Sequence, residues 1–248
     1  KILKIPSTRL TQLVALLDRG RSQMNSTKGN AVLFSEMTPP AGREDEFNDW
    51  YDGHHSPSHV QGVPGFISAM RYQAPTGPHF LAIYELTGPE ALEHEEYKKR
   101  KLTPDNPTYQ MLKSVSGFTR YIAKERFALG RNEEPSETID AAVIFCALFT
   151  VPKGRRVEFE DWFDEEHAPM LQENAGWFFS RRLEIVEQDP EPRTHLIIHY
   201  LRDLQALDAP ERAAASNTEW RNKLALENWF DPTVATYLRR KKRFLKSD

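Results

Sequence analysis

The chain is poor in several things, and each shortage closes off a class of function. A single cysteine, Cys146, leaves no internal disulfide and no multi-cysteine metal site. That fits a reducing compartment and sets the expectation of a cytoplasmic protein. Long apolar runs are missing too: the longest, Ala141 to Phe149, is about half of the roughly 20 residues a membrane helix needs, so no membrane partner is expected. Charge of one sign is not in excess, with 33 Lys and Arg against 36 Asp and Glu, whereas a nucleic-acid-binding domain is expected to be basic. No Gly-x-Gly-x-x-Gly or phosphate-loop pattern occurs, which argues against a dinucleotide or nucleoside triphosphate site. The opening Lys1-Ile2-Leu3-Lys4 meets Pro6 before any apolar core of signal-peptide length, so no secretory signal is expected there.

What the chain does have is an internal repeat. Residues 46–57 read EFNDWYDGHHSP and residues 158–169 read EFEDWFDEEHAP, at a constant offset of 112. Seven of twelve positions are identical, including a Trp and a His. The flanks align as well: Ala31 to Phe34 with Ala142 to Phe145, Gly65 to Arg71 with Gly176 to Arg182, and His79 to Tyr84 with Thr194 to His199. Arg120-Tyr121-Ile122 and Thr236-Tyr237-Leu238 close the two copies. The division expected is a helical extension over residues 1–29, a first unit over 30–130 and a second over 138–248. Ser7 or Thr8 ahead of Leu10, Leu13, Val14 and Leu17 reads as a capped amphipathic helix in that extension.

Each unit shows one order of periodicities. A short apolar strand opens it. Phe47, Trp50, Tyr51 and His54, and likewise Phe159, Trp162, Phe163 and Glu166, then fall at i, i+3, i+4 and i+7, an aromatic stripe on one helix face. Two strands follow, joined by turns at Pro75 to Pro78 and Asp189 to Pro192. A second helix and a last strand complete a βαββαβ ferredoxin-like unit in an α+β fold. Its helices lie on one sheet face and leave the other bare, so two units are expected to pack sheet on sheet as one barrel within the chain.

At WYDGHHSP and WFDEEHAP the sequence resembles the dimeric α–β barrel superfamily, particularly EthD-like proteins, whose first helix carries a Trp-aromatic-Asp-x-x-His-x-Pro pattern. The resemblance covers most of residues 30–245. It implies a tandem, single-chain version of that barrel and a small apolar or aromatic ligand between sheet and helices. Members include cofactor-free cyclases, dehydratases and isomerases, small monooxygenases and haem-binding enzymes, so fold alone does not select a reaction.

The motif residues themselves suggest proton transfer. His55 lies three residues after Asp52 and four after Tyr51, and His167 stands the same way to Asp164 and Phe163, which on a helix makes them neighbours. A carboxylate beside an imidazole fixes its tautomer and suits it to act as a base. His54, or His199 on the third strand, would then stabilise negative charge or protonate a leaving group. Trp50, Tyr51, Tyr84, Trp162, Phe163 and His195 would line the substrate. Against this, Trp50, Phe47, Trp162 and Phe159 read equally well as core. Whether Phe80, Ala82 and Tyr84, with His195, Ile197 and His199, face the helices or the barrel seam stays open.

The leading expectation is a cofactor-independent lyase or isomerase-type enzyme acting by dehydration, cyclisation or C–C cleavage on a small apolar or aromatic carbonyl or hydroxyl compound. An oxygen-using monooxygenase or a haem or metal enzyme of the same barrel type is the alternative, and a non-catalytic binding or accessory protein is a third. No metal is expected: His55 and His59 have i, i+4 spacing, but Pro57 interrupts them and no His-Glu-x-x-His pattern occurs. No cofactor is assigned, and a homo-oligomer is compatible with the pattern. Arg239 to Arg243 reads as the charge of an exposed edge strand rather than as a nucleic-acid site. Cys146 sits in an apolar strand and reads as packing.

Overall fold

The computed structural model describes residues 27–102, 107–130 and 138–246. The expected helix between Ser7 and Leu17 lies outside them. Nine strands are described: β1 (Ala31–Met37), β2 (Phe66–Gln73), β3 (Phe80–Leu86), β4 (Arg120–Gly130), β5 (Val143–Phe149), β6 (Trp177–Asp189), β7 (His195–Leu201), β8 (Thr233–Arg239) and β9 (Phe244–Leu245). They form one antiparallel sheet in a mixed α+β fold, in the order β3-β1-β4-β6-β7-β5-β8-β2-β9. Since β2 also pairs with β3, the first eight strands return on themselves and each has two neighbours. A closed sheet leaves no unpaired edge among those eight.

Alternation along the strands sorts the apolar side chains into two layers. Val32, Phe34, Leu81 and Ile83 point into the ring, where they meet Ile144, Cys146, Leu196 and Ile198. Leu33, Ala82 and Tyr84 point outward against the helices, as do Ala147, Phe149 and Ile197 on the other side. The inner layer also contains charge. Arg181 and Glu85 form an ion pair at 2.7 Å with both side chains fully buried, and Arg181 Nε reaches Glu125 at 2.6 Å. Arg181 donates as well to the Gly29 carbonyl and to the Tyr200 hydroxyl, so the guanidinium is shared among acceptors from both halves of the chain.

The two junctions between the halves differ. β4 and β6 pair from Arg120↔Asp189 to Gly130↔Phe179, whereas β2 and β8 share only Tyr72↔Arg239 and Gln73↔Leu238. β9 extends the shorter junction by adding to β2 at Ser68 and Ala69. The basic run after β8 is spent here rather than on an exposed edge, because β8 is paired on both sides. Arg243 is buried on Asp140 at 2.6 Å, and Lys241 pairs with Asp52 at 2.9 Å.

Register corrects two of the sequence alignments. Leu33 lies opposite Tyr84 and Phe145 lies opposite His199, so Leu33 is equivalent to Phe145 rather than to Ile144. Ile122 lies opposite Leu33 and Thr236 opposite Phe145, which shifts the closing strands by two. Short strands slide easily in a sequence comparison because apolar residues substitute freely for one another.

The motif helices also depart from a plain α-helix. α1 (Glu44–Trp50) passes into a π-helical turn (Tyr51–His55) and then α2 (Ser56–Gly62). α5 (Arg156–Asp161) passes into a π-helical turn (Trp162–His167) and α6 (Ala168–Leu171). The Ser56 amide donates to the Tyr51 carbonyl and the Ala168 amide to the Phe163 carbonyl, both five residues back. Pro57 and Pro169 follow directly and have no amide to continue an α ladder, so the extra residue is absorbed where the ladder is already weakened. The second helix of each unit is divided, into α3 (Glu95–Leu102) and α4 (Pro107–Ser114), and into α7 (Pro210–Ala215) and α8 (Glu219–Leu224). Pro107 opens α4, and Thr218 caps α8 by accepting from the Arg221 amide. Among the described residues no helix is long and apolar enough to cross a membrane.

Candidate functional site

The π-turn decides what the motif histidine touches. It brings residue i+5 over residue i, so His55 stacks on Trp50 and His167 on Trp162, each with ring centroids 4.5 Å apart. The i+3 and i+4 spacing suggested an Asp–His pair instead. Each aspartate turns to a strand arginine: Asp52 accepts from Arg71 at 2.7 Å, and Asp164 takes two hydrogen bonds from Arg182 at 2.8 and 2.6 Å. The expected role of Asp52 and Asp164 as orienters of the histidines is therefore corrected: they tie the helix to β2 or β6. Both arginines recur at matched positions in the aligned flanks, which is the signal that could have found them.

In the second unit a cavity of about 160 Å³ lies between β5, β7 and the helices. Trp162, Phe163, His167 and His199 line it, with Phe145, Trp177 and Phe230 as further walls. The face carrying Ile197 and His199 thus looks toward the helices. His167 Nδ1 donates to the Ala215 carbonyl at 3.1 Å, which in the neutral ring leaves Nε2 as an acceptor. His199 is held the other way round. Trp177 Nε1, a donor only, is shared between His199 Nδ1 at 3.1 Å and Ser180 Oγ at 3.2 Å, which favours the neutral ring with its proton on Nε2. Ser180 Oγ lies 2.8 Å from the same Nδ1. Burial above all lowers the His167 pKa to about 4, with Arg221 and Arg212 adding to the effect. His199 is pushed down likewise by burial and by the nearby His167 and Arg212. Both rings are therefore neutral at pH 7.

The first unit holds a larger cavity of about 410 Å³, lined by Tyr51, His55, His59 and Tyr84 among others. His55 is buried, its Nδ1 has no hydrogen-bond partner among the described residues, and burial holds its pKa well below the usual histidine range. His59 Nδ1 donates to the His55 carbonyl at 2.8 Å. Burial pushes Tyr51 up to about 12 and Tyr84 well above the usual tyrosine range, so both hydroxyls keep their protons. Arg100, Arg120 and, from β6 of the other half, Asp189 complete the lining.

Three expected site residues fall elsewhere. His54 is exposed within the π-turn and lines neither cavity, because the added residue rotates it toward solvent. His195 is buried under Phe159 and bonded to Glu160 at 3.0 Å, closing the end of β7 rather than the cavity. Trp50 backs His55 from outside the larger cavity and lines a surface cleft with Arg43 and Glu46. Residues that sequence reasoning did not single out are Trp177 and Ser180, which set the His199 tautomer, and Arg212 and Arg221. Among the described residues no group of three or more His, Cys, Asp or Glu could hold a metal ion.

No family model matches the chain, and no curated protein matches it. Solved structures do. An anthrone oxidase-like protein superposes with a TM-score of 0.63 at 14% identity, over 90% of this chain and 96% of that one. A candidate monooxygenase from Lactobacillus acidophilus gives 0.54 at 10% identity, over 88% and 97%. A candidate chlorite dismutase gives 0.52 at 10% identity, over 86% and 96%. At these identities the likeness is one of fold, and it runs through both halves of the chain.

Proposed function

We propose that the chain is a tandem version of the dimeric α–β barrel and that its second unit carries an oxygen-using reaction site. The observation behind this is the opposite hydrogen bonding of two histidines on one aromatic-walled cavity, His167 Nδ1 facing a carbonyl acceptor and His199 Nδ1 facing the Trp177 donor. His167 Nε2 takes a proton from an acidic carbon next to an aromatic carbonyl, and His199 Nε2–H donates to the oxygen that becomes negative. The apolar walls exclude water, which strengthens that hydrogen bond. The resonance-stabilised carbanion then reduces O2. One oxygen atom is retained on carbon as a carbonyl and the other leaves as water, so a CH2 becomes C=O.

Proton removal by the same pair would also start an elimination or isomerisation. The oxygen-using reading is preferred because the fold is shared with an anthrone oxidase-like protein and a candidate monooxygenase. Anthrone is accordingly the first substrate to try, with oxygen uptake and quinone formation followed together. One O2 consumed per product, loss of turnover in His167→Ala and retention in His55→Ala are expected. Product formed without oxygen would favour the elimination reading, and unchanged turnover in His167→Ala would remove the base assignment.

A further inference from the structure

Arg212 and Arg221 both line the second-unit cavity, and neither forms an ion pair among the described residues. Other arginines in this part of the fold are paired: Arg182 holds Asp164, and Arg155 is shared by Glu158 and Glu227. Arg212 spends one nitrogen, donating Nη1 to the Leu207 carbonyl at 2.8 Å, and lays its guanidinium over Phe145 at 5.5 Å. Arg221 lies over Phe230 at 5.8 Å. Glu166, the acidic residue at this helix junction, is occupied by the Thr218 hydroxyl at 2.5 Å. Among the described residues no aspartate or glutamate lines the cavity.

Two half-buried cations stacked on aromatic walls, with no ion-pair partner among the described residues, are positioned to meet a flat ligand edge-on with an anion. The larger cavity of the first unit is lined by Arg100 and Arg120 together with a carboxylate, Asp189, and Arg120 is already paired with Glu187 at 2.9 Å. The same two arginines depress the His167 pKa, so an anion between them would return basicity to the proposed base. We infer that the second-unit cavity selects planar aromatic anions, a ring bearing a carboxylate or an ionised phenol, with Arg212 and Arg221 as the groups that take the charge.

This rests on the reaction site proposed above and names its substrate class. The test is calorimetric titration of the whole chain with 2-naphthoate and with the neutral 2-naphthamide. Naphthoate is expected to bind about tenfold or more tightly than the amide, the scale of a hydrogen bond to a charged group. Arg212→Gln and Arg221→Gln should each reduce that preference and leave the amide unchanged, while Arg100→Gln in the other cavity should leave both ligands unchanged. Equal binding of the two ligands, no binding of naphthoate, or loss of the preference only in Arg100→Gln would overturn the proposal. Anion preference without oxygen uptake from any anionic aromatic would sink the reaction but keep this site; turnover without anion preference would do the reverse.

Discussion

Arg182 holds Asp164 through two hydrogen bonds, Nε to Oδ1 at 2.8 Å and Nη2 to Oδ2 at 2.6 Å, with the guanidinium buried beneath the motif helix. Arg71 and Asp52 repeat the contact in the first unit with a single bond at 2.7 Å, and Lys241 adds a second cation at 2.9 Å. The pair occupies the aspartate that the motif seemed to offer to its histidine. It fixes the helix on the strand at the point where the π-turn begins, and so holds the Trp–His stack over the cavity. The carboxylate acts on the histidine by position and not by accepting its proton.

Asp164→Asn should therefore cost stability more than chemistry. Losing a charge-assisted pair while leaving Arg182 buried is expected to remove about 1–3 kcal/mol, read as a lower urea midpoint at unchanged slope. The pH dependence of turnover should keep its shape. A proton relay through Asp164 would instead lower kcat by orders of magnitude with little change in the urea midpoint.

The buried pair of Arg181 and Glu85 gives a sharper stability test, since both side chains are fully buried and they join β6 of one half to β3 of the other. Arg181→Met leaves Glu85 charged in an apolar interior and is expected to cost about 3–5 kcal/mol. Arg181→Met with Glu85→Leu removes both charges and should recover a large part of that loss. A double variant no more stable than the single one would show that Glu125, the Gly29 carbonyl and the Tyr200 hydroxyl, the other acceptors of Arg181, dominate the network.

Much of this architecture was legible in the sequence because the repeat carries it. Trp50 with His55 and Trp162 with His167 mark the same helix twice, and the alternation of His195, Ile197 and His199 placed those residues on one strand face before that face could be oriented. The π-turn was not legible. An i, i+5 contact has no signature in a 3.6-residue periodicity, and Pro57 and Pro169 announce a weakened ladder without saying how it is repaired. Assignment of Asp52 and Asp164 failed for a related reason: spacing along one helix says nothing of an arginine waiting on a strand about 20 residues further on. Arg212 and Arg221 were hidden because long basic side chains on polar helices read as solvated until the fold shows which cavity lies beneath them.

The depressed histidines make stability depend on pH in a defined window. His167 titrates at about 4 in the folded chain and near 6.5 unfolded, so below 6.5 the unfolded chain takes up the proton first. Its stabilising contribution is complete above about 6.5 and declines as pH falls toward 4, with His55 and His199 shifted in the same direction. Between pH 7.5 and 5.5 His167 alone accounts for about 1 kcal/mol. His167→Gln should shrink the difference in urea-derived stability between those two pH values by about that amount. An unchanged difference would mean that His167 is not buried as a neutral ring.

The tautomer of His199 is open to direct observation. Trp177 Nε1 can only donate, so its approach to His199 Nδ1 places the imidazole proton on Nε2, where the proposed oxyanion would need it. Nitrogen-15 shifts of the His199 ring at pH 7 are expected to show an unprotonated Nδ1 and a protonated Nε2, with His167 showing the reverse pattern because its Nδ1–H is held by the Ala215 carbonyl. Trp177→Phe keeps a ring in the wall but removes the donor. Ser180 Oγ, 2.8 Å from Nδ1, can then donate or accept, so the His199 tautomer becomes mixed. The expected consequence is a lower kcat with little change in KM, because the hydrogen bond at issue forms to charge that develops after binding. Ser180→Ala in the Trp177→Phe background should deepen the fall. A Trp177→Phe protein that keeps both its kcat and the Nε2–H shift would remove the link between the wall and the donor, and with it the assignment of His199 as the group that stabilises the oxyanion.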